Sequence, residues 1–97
     1  EETGAVVHLM RLEESALELV EFRLAADSNA VGHCFGELDL SSRGCNVCLL
    51  IRGRETLFPE GDIELQIGDT IVALVHIGRE LEIRSFLTGP EIRVEIN

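Results

Sequence analysis

The stretch from Leu57 to Val75, L-F-P-E-G-D-I-E-L-Q-I-G-D-T-I-V-A-L-V, constrains the fold more than any other. Ile63, Leu65 and Ile67 alternate with Glu64 and Gln66, the period of a half-buried strand. Ile71 to Val75 is continuously apolar, which predicts a short central strand covered on both faces. Between them Gly68 can take a positive φ and Asp69 can hydrogen-bond the local backbone, so Gly68-Asp69 reads as a sharp turn. Pro59 offers no ladder N–H and ends whatever strand precedes it. A sheet assembled from short segments joined by tight turns follows.

The flanking sequence supplies the other elements. Val20, Phe22 and Leu24 alternate with Glu21 and Arg23 as a strand. Leu17 and Leu19 lie in the opposite phase, which places the strand start near Val20 or a bulge there. Asp27, Ser28 and Asn29 are successive N-cap candidates, and Val31, Cys34, Phe35 and Leu38 recur at helical spacing, so a helix is expected next. Gly32 and Gly36 weaken that helix, and close packing of a neighbour rationalises them. Cys45 to Ile51 predicts a second strand covered on both faces. Arg52-Gly53-Arg54-Glu55 predicts a hairpin with glycine at the first central position of a type II′ turn, and Glu55 to Phe58 is its return strand. Arg79 to Leu87 predicts a closing helix stopped by Gly89-Pro90. Ile92, Val94 and Ile96 alternate to the end as a final strand. Residues 1–16 suit a strand or a helical turn equally. They are assigned to a connector from a preceding domain, packed on the core's edge, with residues 17–97 as the domain proper.

At 97 residues the chain holds one small core, and association through an apolar face is expected of it. A hydrophobic content of 45% excludes a disordered tail. No apolar run approaches the roughly 20 residues of a membrane helix. Beginning at Glu1, the chain reads as an excised part of a longer protein. Eighteen acidic residues against eight basic ones give a net charge of −10, which repels a phosphate backbone; no nucleic-acid partner is expected. Three cysteines, an odd number, fit a reducing compartment better than a disulfide framework.

Few constellations carry chemistry. Cys45-x-x-Cys48 with His33 and Cys34 upstream invites a zinc or redox reading. In a strand, though, the odd spacing turns the two thiols to opposite faces, which predicts Cys48 buried and Cys45 at the strand's mouth. No metal, cofactor or catalytic residue is assigned, and no enzymatic activity is expected. Glu60, Asp62, Glu64 and Asp69 read as a solvated acidic turn rather than a calcium loop. Arg52 and Arg54 flank a hairpin on an acidic domain, and arginine grips phosphate bidentately. A small anionic ligand at that hairpin, with Pro59 close by, is the sharpest site expectation.

The order of these elements resembles the TrkA C-terminal domain, the second lobe of the RCK (regulator of potassium conductance) modules. The resemblance rests on Leu19-Val20-Glu21-Phe22, Ala30-Val31-Gly32, Glu37-Leu38-Asp39-Leu40, Leu50-Ile51-Arg52-Gly53, Leu57-Phe58-Pro59, Gly61-Asp62 and Leu65 through Ile71. It implies a compact α+β domain of β-α-β-β-(β)-β-α order, here with an additional C-terminal strand. It further implies a homodimer on the cytoplasmic face of a potassium or other cation channel or transporter, working with a membrane transport subunit or domain. Some members of the family bind cyclic di-AMP at the dimer interface, and Arg52 corresponds to an arginine that can serve such a site. A purely structural dimerisation module is the alternative, and a small Cys/His metal-binding domain a further one.

Overall fold

The computed structural model describes residues 6–12 and 15–88. Its centre is the apolar run singled out above. Strand β5 (Thr70–His76) occupies the middle of a five-stranded antiparallel sheet. The other strands are β1 (Val6–Arg11), β2 (Leu17–Arg23), β3 (Cys45–Arg52) and β4 (Glu55–Leu57), in the spatial order β1-β2-β5-β3-β4. The helix α1 (Glu80–Thr88) follows β5 through a single 3-10 turn. The chain is an α+β domain.

Register explains which face is inside. Val20 opposes Ala73, and Phe22 opposes Ile71, which opposes Leu50. Directly opposed residues share a face, so these side chains form one apolar layer. Ile83 and Leu87 of α1 close that layer, together with Leu24, Ala30, Leu38, Leu40 and Leu65 from the loops. Burying a Leu, Ile or Phe side chain contributes roughly 1.5–3 kcal/mol, so this single layer holds most of the available hydrophobic stabilisation.

Several expectations need correction. No α-helix follows Asp27 to Asn29. The segment makes turns and two short 3-10 helices, Phe35–Leu38 and Ser41–Arg43. Ser28 accepts a hydrogen bond from the Ala30 N–H at 3.1 Å, closing a tight turn instead of capping a helix. Gly32 sits at φ +89°, where a helix cannot continue. The N–H groups of Gly32, Phe35 and Gly36 donate to the carbonyls of Leu65, Ile63 and Gly61. The backbone is thus satisfied across the chain rather than along it.

The same bonds account for Ile63 to Ile67, which forms no regular strand. It pairs with that irregular loop, and only the isolated bridge between Cys34 and Glu64 has strand geometry. Leu65 is buried and Ile63 packs on the core, but Ile67 is 58% exposed because the chain turns at Gly68, φ +89°.

Strand β3 is covered on one face only. A register shift between Val47 and Leu49 makes Cys48 the extra residue of a bulge. The bulge reverses the expected cysteine placement: Cys45 is 1% exposed and Cys48 lies at the surface. Leu17 and Leu19 begin β2 after all; the irregularity sits opposite them, between His8 and Met10 of β1. Residues 6–11 are thereby the edge strand of the sheet. The closing helix forms as expected, whereas the Gly89-Pro90 stop and the alternating segment 91–97 lie outside the described residues.

Gly36 shows the close packing anticipated from its sequence position. A Cβ there would stand 2.9 Å from the Gly61 Cα. Two backbones touch at that point.

Candidate ligand site at the β3–β4 hairpin

The hairpin joining β3 to β4 pairs Arg52 with Glu55 and turns through Gly53 and Arg54. Gly53 has φ +62° and Arg54 has none of the positive-φ character of a type I′ turn, so the type II′ expectation stands. Arg54 is exposed and makes no ion pair among the described residues.

Arg52 has a different setting. Its Nε donates to Asp69 Oδ1 at 2.9 Å and one terminal nitrogen donates to Asp69 Oδ2 at 2.9 Å, a bidentate pair. The same terminal nitrogen donates to the Glu64 carbonyl at 2.9 Å. The hydrogen bond to Asp69 holds the guanidinium above its ordinary pKa range despite partial desolvation.

Asp69 is 1% exposed and also accepts the Gln66 N–H at 2.9 Å. Its carbonyl accepts the Leu24 N–H, while Gly68 donates to the Leu24 carbonyl, each at 2.8 Å. One carboxylate therefore ties the end of β3, the 64–66 segment and the start of β5, and the adjoining backbone adds the end of β2. This is a structural junction. Its carboxylate oxygens are occupied by nitrogen donors and its guanidinium fork is spent on them.

The structure thus keeps Arg52 and Arg54 on one hairpin but gives only Arg54 a free charged head. Pro59 is partly buried beyond β4, beside Phe58, which is 71% exposed. The acidic cluster divides as well. Glu60, Asp62 and Glu64 face solvent, and Asp69 is interior. Residue types alone did not reveal the Arg52–Asp69 pair. The available signal was an aspartate in a turn between apolar segments, with an arginine ending a neighbouring apolar strand.

The thiols and imidazoles do not converge. Cys34 donates its backbone N–H to Glu37 Oε1 at 2.7 Å, in a capping box at a 3-10 turn. His33 Nδ1 stands 3.7 Å from the same oxygen at the surface. Burial, with the neighbouring Cys48 adding to it, pushes the Cys45 thiol up to about 12. A thiol so protonated is a poor nucleophile and a poor metal ligand. Among the described residues, no three His, Cys, Asp or Glu side chains stand where they could hold a metal ion. No helix among them is long and apolar enough to cross a membrane.

Comparison with known proteins places this geometry in context. The family model described as the TrkA-C domain matches residues 19–88. The chain is 31% identical over 75 residues to the Trk system potassium uptake protein TrkA of Halomonas elongata. That alignment takes in 74% of this chain and 16% of the relative, so the chain spans a small part of its length. Among solved structures, the fold is similar to the RCK_C domain dimer of S. agalactiae BusR in complex with c-di-AMP. The TM-score is 0.62 at 16% identity, covering 70% of this chain and 92% of that one. It is similar also to S. agalactiae BusR in complex with its busAB-promotor DNA, with a TM-score of 0.63 at 15% identity, covering 79% of this chain and 38% of that one. At these identities the structural likeness establishes a shared fold.

Proposed function

The chain belongs to the TrkA-C domain family, and from that premise we propose that it is a non-catalytic regulatory domain coupling a small anionic ligand and homodimerisation to potassium transport. The family match over residues 19–88, joined to the sequence relation with a potassium uptake protein, carries this reading. In it the parent protein acts at the cytoplasmic face of the membrane, alongside a transport subunit or domain that moves potassium or another cation. The domain proper contributes the sheet and helix described above, with the N-terminal residues leading in from a preceding unit.

The ligand class follows from charge and from the c-di-AMP carried by the BusR domain dimer. On a chain of net charge −10, an anion needs a local cation. Arg54 is that cation, presented exposed on a two-residue turn, with Pro59 following the return strand β4. Arg52 supports the site indirectly by fixing the end of β3 against Asp69. A cyclic dinucleotide presents two phosphates, so one ligand on the axis of a dimer would meet two copies of Arg54.

Sedimentation equilibrium across a concentration series, with and without cyclic di-AMP, tests both parts. Tighter self-association in the presence of ligand is expected. A monomer at all concentrations, unaffected by the dinucleotide, would defeat the proposal. A dimer indifferent to every nucleotide offered would favour a purely structural assembly module.

A further inference from the structure

Strand β5 reads T-I-V-A-L-V-H, apolar in both phases of its alternation. A strand of that pattern calls for cover on both faces of its sheet. Among the described residues the fold covers one. Ile71, Ala73 and Val75 face the core, and the apolar side chains that the helix and loops bring to the sheet, such as Ile83, Leu87 and Leu65, belong to that single cluster. Val72 and Leu74 alternate to the other face and lie outside it. Register carries this second face across the sheet. Met10 opposes Leu19, which opposes Leu74; in the neighbouring row Val7 opposes Glu21, which opposes Val72, which opposes Leu49. Directly opposed residues share a face, so six apolar side chains stand side by side over four strands. Val7 and Met10 are about half exposed at its margin, and Leu19, Leu49 and Leu74 are partly exposed within it.

We propose that two copies of the chain pack on each other through this second face, sheet against sheet about a two-fold axis. The interface deepens the proposed function, resting on its homodimer and giving that homodimer a surface. Charge selects a second copy as the occupant. At a net charge of −10, two copies repel each other over most of their surface. On this face the paired strand residues include Glu21 and Arg23, one of each sign, and no other Asp, Glu, Lys or Arg. The face is therefore neutral. A nucleic acid or a charged peptide meets no field there to guide it, whereas an identical neutral face can approach without the repulsion that opposes every other orientation.

Area agrees with that occupant. Four strands of six to eight residues and the short β4 lie about 4.8 Å apart and rise about 3.3 Å per residue, a plan of roughly 500 Å². Two such faces together cover about 1,000 Å², the size at which a specific interface begins. Sheets packed face to face stand about 10 Å apart, a gap that interdigitated Leu, Val and Met side chains fill. Burial of this second layer completes the cover that the sequence of β5 calls for.

Sedimentation equilibrium of the parent chain without nucleotide, beside Leu74→Lys, Met10→Lys and Leu81→Lys, tests the proposal. Each substitution brings the chain closer to neutrality, so a loss of association cannot come from added overall repulsion. The parent should dimerise, and Leu74→Lys should weaken self-association at least ~10-fold by setting a charge within the apolar face. Met10→Lys, at the half-exposed margin, should melt with the parent and weaken association about 3-fold. It decides the matter if Leu74→Lys lowers the melting temperature. Leu81 is 71% exposed on α1, across the sheet from this face, and its substitution should leave association unchanged. Dimers as tight in both sheet variants as in the parent, or lost only in Leu81→Lys, would overturn the interface and leave the proposed function standing. A parent chain that stays monomeric without nucleotide would also overturn it. A dimer that behaves as expected here but ignores cyclic di-AMP would defeat the ligand reading alone.

Discussion

Strand β3 and the hairpin turn that follows it carry two pairs of like residues whose members have opposite fates. Cys45 is sealed in the core and Cys48, three positions on, is at the surface; Arg52 is locked to a buried carboxylate and Arg54 is free. A third like pair, Gly36 and Gly61, meets across two loops, and there too one member is far more constrained than the other. The inward members build the junction around Asp69 and the core. The outward members form the surface available for recognition. Residue type does not decide between structure and function here; the register of one strand and the angle of one turn do.

The largest effect is expected from Arg52→Ala. It leaves Asp69 buried beside Gln66 with its strongest partner gone and also strips the Glu64 carbonyl of a donor. Breaking a fully buried pair from one side costs roughly 3–5 kcal/mol, and because Arg52 is part-exposed about 2–3 kcal/mol is expected here. Urea denaturation should show a lowered midpoint, and a change below about 1 kcal/mol would remove Asp69 from its place as the junction. For the same reason Arg52→Ala cannot report on ligand binding, since a loss of binding would follow from a loss of fold.

Next comes the glycine pair. A Cβ on Gly36 meets the Gly61 Cα at 2.9 Å, whereas one on Gly61 meets its nearest atom at 3.7 Å, an ordinary contact. Gly36→Ala should cost about 2 kcal/mol through backbone displacement, and Gly61→Ala less than about 0.5 kcal/mol. Equal melting temperatures for the two variants would mean that the loops do not meet as described.

The cysteine pair gives a pH-dependent effect that is smaller within any one pH unit and absent near neutral pH. The folded protein keeps the Cys45 proton up to about 12, against an ordinary thiol value of 9.0 that the unfolded chain retains. Between these values the unfolded state binds fewer protons, so stability falls as pH rises, by up to ~1.4 kcal/mol per pH unit for this group, and is unaffected below 9. Cys45→Ala should flatten that fall. Alkylation of the native protein near pH 8 should label Cys48 and spare Cys45; labelling in the reverse order would place the bulge elsewhere.

The regular half of the molecule was legible in the sequence for a simple reason. Strands β2 and β5 and the helix α1 bury one face or a continuous run, and burial writes a period into the residues. The hairpin was legible through Gly53, whose backbone angle few other residues adopt. The loop ladder between residues 32–36 and 61–65 left no such trace. Its hydrogen bonds are made by backbone groups, which every residue carries, so Val31, Cys34, Phe35 and Leu38 mimicked a helix and Ile63, Leu65 and Ile67 a regular strand. The bulge at Cys48 left no trace because one inserted residue changes no composition. At the candidate site, the exposed position of Arg54 was legible from its place in the hairpin turn. The bond from Arg52 to Asp69 left no such trace, because the partner is separated by 17 residues and meets it through the turn at Gly68.

Arg54→Ala is the smallest change in stability expected, within about 0.5 kcal/mol, because the residue is exposed and unpaired. Calorimetric titration of cyclic di-AMP into the parent chain and into Arg54→Ala therefore tests the proposed function most directly. Binding of one dinucleotide per two chains is predicted for the parent, with affinity reduced at least ~10-fold in a variant that melts at the same temperature. Equal affinity in both chains, or heat of dilution alone from the parent, would contradict it.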